Sequence, residues 1–206
     1  MVPALAGQDV SRETMERLQG FAALVEKWTP RINLIARGTL DDLWNRHIVD
    51  SAQIYAFAPE SYGTWADLGS GGGFPGIVAA IIARERQPGA DFVLIESDQR
   101  KCAFLRTATR ELDLAVTVIA GRIESVAPQQ ADVVSARALA PLGALLPLID
   151  RHLAPDGRAL IHKGRRAPQE MAEAREHWSF ALEDHPSITD PDARLLDIQR
   201  ILPRGS

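Results

Sequence analysis

The chain has 206 residues, a formal net charge of −4 and a pI near 5.7; 46% of its residues are hydrophobic and 24% charged. Those values fit one soluble domain with a sizeable core, and the acidic balance argues against a protein that coats nucleic acid non-specifically. The longest unbroken apolar run, residues 77–83, is far too short to span a membrane, and the opening residues lack the basic and apolar regions of a secretory signal. The lone Cys102 excludes a disulfide framework and fits a reducing cytoplasm.

Residues 9–28 place Val10, Met15, Leu18, Phe21, Ala22 and Val25 at helical spacing, with Asp9 or Ser11 as cap and Pro30 beyond the end. A second helical stripe covers 40–57, closed by Pro59 and Gly63. From Thr64 the rhythm changes. TWADLGS (64–70) predicts a strand, 74–85 a helix with Pro75 in its first turn, and DFVLIES (91–97) a strand. A helix over 99–112 follows, then strands AVTVIAG (115–121) and ADVVSA (131–136). A helix over 141–153, the strand RALIHKG (158–164) and a short helix over 169–177 complete the alternation. Two apolar stretches near 178–183 and 194–202 predict a final antiparallel pair. The pattern predicts an α/β fold: a parallel sheet with helices on both faces. Residues 1–62 form a helical extension and 63–206 the sheet domain, one compact unit overall. Ligands of such sheets bind beyond the carboxyl ends of the strands.

The sharpest motif is Asp67-Leu-Gly69-Ser70-Gly71-Gly-Gly73-Phe74-Pro-Gly76, between a strand and a helix. Its glycines allow a tight turn and close approach of a ligand, and the helix start behind them offers free N–H groups. Gly71–Gly76 also fits the dinucleotide pattern G-x-G-x-x-G. Two features disfavour a nicotinamide cofactor: Asp67 sits just before the loop, and two helices precede the first strand. Hydride transfer would also want a Tyr–Lys pair, yet Tyr55 and Tyr62 both lie before the loop. Glu96 ends the second strand, with Ser97 beside it, where a carboxylate accepts ribose hydroxyls; Asp98 is a rival. The turn after the third strand, Gly121-Arg122-Ile123-Glu124, is placed to flank an adenine ring. Together these form a nucleoside pocket.

The segments DLGSGGGFPG, IESDQRKCAFLR, GRIE, VVSARALAPL and HKG, with WTPRINL and NRHIVDS upstream, resemble one family. That family is the bacterial small-subunit rRNA methyltransferase G, also called glucose-inhibited division protein B; the match runs from about residue 28 to 164. The resemblance implies a Rossmann-like class I fold that uses S-adenosylmethionine. It also implies the product: N7-methylguanine at guanine 527, in the 530 loop of 16S rRNA. By motif it assigns cofactor contacts to Gly69, Phe74, Ile123, Glu124 and Arg137, the last in a segment that reads Ser135-Ala136-Arg137-Ala138. Asn33, His47 and Asp50 match family-typical positions, expected to line the target pocket. A 30S particle or assembly intermediate is the expected partner, and a monomer the expected state.

Guanine N7 carries a lone pair and no proton, so its attack on a sulfonium methyl needs no general base; proximity and orientation suffice. No catalytic acid or base is therefore expected. The histidines show no ligand spacing, so no metal is expected. Arg122, Arg137 and Lys163 follow the third, fourth and fifth strands, on the same rim as the glycine loop, and Arg165 and Arg166 extend them. Cations there suit phosphate or guanine O6. A non-catalytic RNA-binding factor and a methyltransferase for small molecules are the competing readings. An intact glycine loop with Glu96 disfavours the first, and the cationic rim the second.

Overall fold

The structure, a computed structural model, describes residues 4–205. A small hairpin, β1 (Ala4–Leu5) with β2 (Gln8–Asp9), opens it; the sequence gives no periodic signal over so short a pair. Helix α1 (Arg12–Ile32) follows. Ser11 caps it, its hydroxyl accepting the Thr14 N–H at 3.1 Å. The helix runs past Pro30, further than predicted. A proline in the last turn forfeits only one backbone hydrogen bond, and the stop comes at Asn33, which takes the left-handed conformation (φ 51°).

The single helix expected over 40–57 is a succession of different turns. There is a 3-10 segment (Arg37–Asp42), a π-helical segment (Trp44–Val49), the short α2 (Asp50–Ala52) and a second 3-10 segment (Gln53–Phe57). The apolar stripe still buries Leu43, Ile48 and Ile54. The wide π turn, a feature common at functional sites, re-aims the polar face, so that His47 and Asp50 reach one guanidinium, that of Arg137.

Seven strands form the main sheet: β3 (Thr64–Leu68), β4 (Asp91–Glu96), β5 (Val116–Ala120), β6 (Ala131–Arg137), β7 (Leu153–Lys163), β8 (Trp178–Pro186) and β9 (Arg194–Pro203). Their order is β5-β4-β3-β6-β7-β9-β8. The first five are parallel, and β9 is inserted antiparallel between β7 and β8. The expected terminal pair is present, with β8 as the edge. Helices α3 (Gly76–Arg86), α4 (Gln99–Glu111), α5 (Leu142–His152) and α6 (Ala167–His177) cover the faces. Pro75 lies just before α3 rather than inside it, joined to Phe74 by a cis peptide bond. Strand β7 starts at Leu153, earlier than predicted, directly after α5.

The sheet separates two apolar clusters. One holds α1, the 37–57 segment, α3 and α4; the other holds α5 and α6. In the first, Trp65 of β3 stacks on Tyr55 (6.0 Å) and Phe92 (5.5 Å), and Phe21 of α1 meets Phe74 (5.1 Å) and Phe104 (6.4 Å). Burying one such side chain contributes about 1.5–3 kcal/mol, so the front segments and the sheet stabilise each other through one shared core. The strand order reverses between β3 and β6. A crevice opens at such a switch point, and the chemistry-bearing side chains gather there. Among the described residues, no helix is long and apolar enough to cross a membrane.

Candidate active site

The chain leaves β3 at Asp67–Leu68 and folds back over β4. Gly69 and Ser70 donate their N–H groups to the Ile95 carbonyl at 2.9 and 3.1 Å, and the Gly73 N–H closes on Ser70 at 2.7 Å. Gly69 has φ +67°, and a Cβ there would lie 2.6 Å from the Leu139 side chain. Gly73 has φ +87°, and its Cβ would meet Ile77 and Phe21 at 2.7 and 2.9 Å. Both positions therefore exclude a side chain twice over, by backbone conformation and by space.

Glu96 ends β4 and is only 8% exposed. One carboxylate oxygen accepts the Gly71 N–H and the other the Asp98 N–H, both at 2.8 Å. The carboxylate thus shapes the glycine loop while each oxygen keeps a further lone pair. Next along the sheet edge, the Gly121 N–H donates to the Glu96 carbonyl at 2.9 Å and starts the 3-10 turn Ile123–Ser125. Ile123 is buried, with its carbonyl held by His152 at 2.9 Å, and Glu124 is exposed.

Asp67 lies beneath the loop, fully buried. The Ser135 hydroxyl donates to it at 2.6 Å and in turn accepts the Trp65 indole N–H at 2.8 Å. Its other oxygen has no close hydrogen bond and lies toward the start of α3 at Gly76. Burial pushes Asp67 up to about 6, against the hydroxyls of Ser135 and Ser70 and the charge of Arg137.

Arg137, at the end of β6, links two halves of the crevice. Its guanidinium sits 4.9 Å above the Phe74 ring, on the glycine-loop side. It also donates to Asp50 at 3.2 Å, to the Arg46 carbonyl at 3.3 Å and to His47 Nδ1 at 2.9 Å. Because Nδ1 accepts from an arginine, the His47 proton sits on Nε2, which donates to the Thr39 hydroxyl at 2.8 Å. Burial and then Arg137 lower His47 to about 4, so its ring is neutral at physiological pH. Burial pushes Asp50 up, but His162, Thr189 and Arg137 outweigh it and hold the carboxyl below its ordinary value. His162, buried in β7 and lowered by that burial, donates Nε2–H to the Asp50 carbonyl at 2.8 Å.

Beside this array lies a cleft of about 940 Å³ on the carboxyl side of β6 and β7, with His47, Asp50, Arg137, Leu139, His162 and Thr189 in its wall. Leu139 overlies Gly69 and so stands between the cleft and the glycine loop. The arrangement places a cleft of nucleotide size beside the glycine-loop edge.

A family profile described as GidB, rRNA small subunit methyltransferase G, matches residues 14–195. The ribosomal RNA small subunit methyltransferase G of Cereibacter sphaeroides is 54% identical over 96% of this chain and 96% of its own length. The protein of that name from Ruegeria pomeroyi is 50% identical over 96% and 97%. The chain belongs to the rRNA small subunit methyltransferase G family. Among solved structures, a TehB-like SAM-dependent methyltransferase from Corynebacterium glutamicum has a TM-score of 0.58 at 17% identity, covering 86% of this chain and 98% of that one. TYW2 of P. horikoshii, solved in complex with MeSAdo, also has a TM-score of 0.58, at 13% identity over 76% and 62%. Those likenesses show the fold alone, and it is the Rossmann-like class I methyltransferase fold expected from the sequence. Family and fold together point to S-adenosylmethionine as the cofactor.

In this member of the rRNA small subunit methyltransferase G family, the expected site residues divide by location. Gly69, Ser70, Gly71, Gly73, Phe74, Glu96, Ile123 and Glu124 line one continuous edge, with Asp67 beneath it and Ser97 exposed beside Glu96. His47, Asp50 and Arg137 come together at the cleft. The three strand-end cations share the expected edge of the sheet but are spread along it. Arg122 follows β5 and Lys163 ends β7, four strand spacings apart, which is about 19 Å at 4.8 Å per spacing. Sequence order hides this, because β3 and β4 lie between β5 and β6. Lys163 is also not a free cation: it is 9% exposed, and it binds Glu170 at 2.8 Å and the Ala140 carbonyl. Arg165 reaches Asp192 at 2.7 Å, Arg122 and Arg166 are exposed, and Asn33 is an exposed helix cap. Residues that sequence reasoning missed are Leu139, His162 and Thr189. Thr189 lies in the β8–β9 loop, remote in sequence from every motif, and nothing local marks it.

Proposed function

We propose that this chain transfers a methyl group from S-adenosylmethionine to N7 of a guanine in 16S rRNA, guanine 527 of the 530 loop. The observation that carries this is the position of Arg137. One side chain stacks on the glycine-loop residue Phe74 and also braces His47 and Asp50 in the wall of the adjoining cleft. Cofactor edge and target cleft are thus coupled through a single guanidinium.

The residues fit the cofactor. Glu96 retains one lone pair per oxygen for a diol, the two strained glycines leave room for close backbone approach, and Ile123 and Glu124 present a backbone turn to a base. When bound, S-adenosylmethionine supplies an electrophilic methyl group. The protein's own residues then position the acceptor. N7 is unprotonated, and the cleft needs no base: the Nε2 protons of neutral His47 and of His162 are engaged with Thr39 and the Asp50 carbonyl. The Asp50 carboxylate favours the positive charge that methylation creates on the purine. Arg46 and Arg194 line the cleft, and Arg122, Arg165 and Arg166 stand exposed on the same edge of the sheet, for phosphate contacts. The front segment, residues 1–62, serves as an extension of the methyltransferase unit. A cytoplasmic monomer acting on the 30S subunit or an assembly intermediate completes the proposal.

Nucleoside analysis of 16S rRNA tests it. Unmethylated 30S subunits incubated with the protein and S-adenosylmethionine are expected to gain 7-methylguanosine, close to one per 16S rRNA. Gain of a different methylated nucleoside would contradict the N7 assignment.

A further inference from the structure

We propose that Ile188, at the tip of the β8–β9 loop, is an apolar wedge. On this view it enters the RNA base stack and takes the place of the target nucleotide when that nucleotide occupies the cleft. The inference rests on the function proposed above and extends it to how the base is extracted.

Only two large hydrophobic side chains stand well exposed among the described residues, Ile188 at 61% and Leu202 at 62%. Leu202 is near the end of antiparallel β9, at the opposite edge of the sheet from the cleft. Ile188 stands at the cleft's mouth, since the next residues, Thr189, Asp190 and Pro191, line the cleft itself. The loop that carries it is tightly held. The Ile188 N–H donates to Gln53 Oε1 at 3.0 Å, the Thr189 hydroxyl to Asp50 at 2.7 Å and the Thr189 N–H to the Ser187 hydroxyl at 3.2 Å. The Ser187 N–H donates to the Ala193 carbonyl at 3.0 Å, and the Ala193 N–H returns to Asp190 at 3.0 Å. Asp192 accepts two hydrogen bonds from Arg165, at 3.0 and 2.7 Å.

So the backbone on either side of Ile188 is pinned, while its side chain meets solvent. A branched apolar group on a rigid mount suits a partner built of stacked rings. Many enzymes that act on a base in a structured nucleic acid take it out of the stack, and inserted apolar side chains fill such gaps elsewhere. Asp50 ties the two functions together, because the carboxylate that holds Thr189 also holds Arg137.

The test uses Ile188→Ala and Ile188→Leu, with 30S subunits reconstituted from 16S rRNA carrying 2-aminopurine beside the target guanine. The wild-type protein is expected to brighten the 2-aminopurine on binding as its stacking is lost. Ile188→Ala should abolish the brightening and lower kcat/KM for the subunit by about tenfold or more, with cofactor Kd unchanged. Ile188→Leu should restore both. The proposal is overturned if Ile188→Ala keeps kcat/KM within about twofold. It is equally overturned if the brightening persists in Ile188→Ala, or is missing in a wild type that methylates the subunit. Failure of the wild type to methylate rRNA at all would instead refute the proposed function.

Discussion

Arg137 donates to Nδ1 of His47 at 2.9 Å; this hydrogen bond fixes the tautomer of the histidine, while burial and then the Arg137 charge keep its ring neutral. Asp50 accepts from the same guanidinium at 3.2 Å, and both members of that ion pair are largely buried. The fork of an arginine makes these contacts at once; a lysine's point charge does not. Arg137→Lys is therefore expected to fold less stably, by about 2–4 kcal/mol, because breaking a buried pair leaves its partner uncompensated. Its methyl transfer should fall by about 100-fold if the loss of about 2.7 kcal/mol of orientation reaches the transition state. Thermal unfolding and single-turnover transfer check the two expectations separately.

Glu96, the proposed cofactor contact, and Asp98, a helix cap, give separable expectations. Glu96→Gln puts an amide NH2 against a backbone N–H that now donates to a carboxylate, from Gly71 or from Asp98. S-adenosylmethionine affinity should weaken about 10- to 100-fold, in line with about 1.5–3 kcal/mol for a charged hydrogen bond. Asp98 accepts the Arg100 and Lys101 N–H groups at the start of α4. Asp98→Ala should lower stability and leave cofactor affinity within about twofold, as removal of a helix cap does. Calorimetric titration of both variants distinguishes the roles.

Half-buried His47 and buried Asp67 give opposite pH slopes. His47 titrates in the folded protein at about 4, below its ordinary 6.5. The folded state therefore binds fewer protons than the unfolded chain, and stability from this group is lost as pH falls from 6.5 toward 4. Asp67 is raised from 3.8 to about 6, so its contribution to stability falls as pH rises from about 4 toward 6. The slopes oppose each other in the wild type. Asp67→Asn should make stability rise more steeply with pH across that window than in the wild type, and His47→Gln less steeply. Denaturant unfolding at several pH values measures both. A cationic cofactor above Asp67 favours its ionised form, so S-adenosylmethionine affinity should rise through about pH 6 in the wild type and lose that rise in Asp67→Asn.

Lys163 is expected to matter for folding rather than for RNA. Its partner Glu170 is 13% exposed and also accepts the Leu142 N–H at the start of α5, at 2.9 Å. Lys163→Met should destabilise by about 3 kcal/mol by stranding that carboxylate, and Lys163→Met with Glu170→Met should recover much of the loss. Methyl transfer per folded molecule, measured below the unfolding temperature, should stay near wild type in the double variant. A lost RNA cation would not be restored this way.

The alternation of strands and helices, the glycine loop and Glu96 were legible because each is a local pattern: a run of apolar residues, a spacing of glycines, an acid at a strand end. The irregular 37–57 segment was not. Its apolar stripe has helical spacing, but the polar face is set by Arg137, some 90 positions away. The spread of the cations along that rim was hidden for a topological reason, since strands adjacent in sequence order are not adjacent across the sheet. Lys163 reads as a free cation until α6 folds back to bring Glu170 to it. Thr189 and Leu139 act through tertiary contact with Asp50 and Gly69, and neither belongs to a spacing that a linear reading can detect.

The central claim is methyl transfer to a defined guanine. It is tested most directly by labelling 30S subunits from a strain lacking this protein with S-adenosylmethionine and cleaving the 16S rRNA chemically at N7-methylguanine. Label with a single enzyme-dependent cleavage at guanine 527, absent from Arg137→Lys reactions stopped at the same early time, is the expected result. An unlabelled subunit, or cleavage elsewhere, in a preparation that binds S-adenosylmethionine by calorimetry would contradict it.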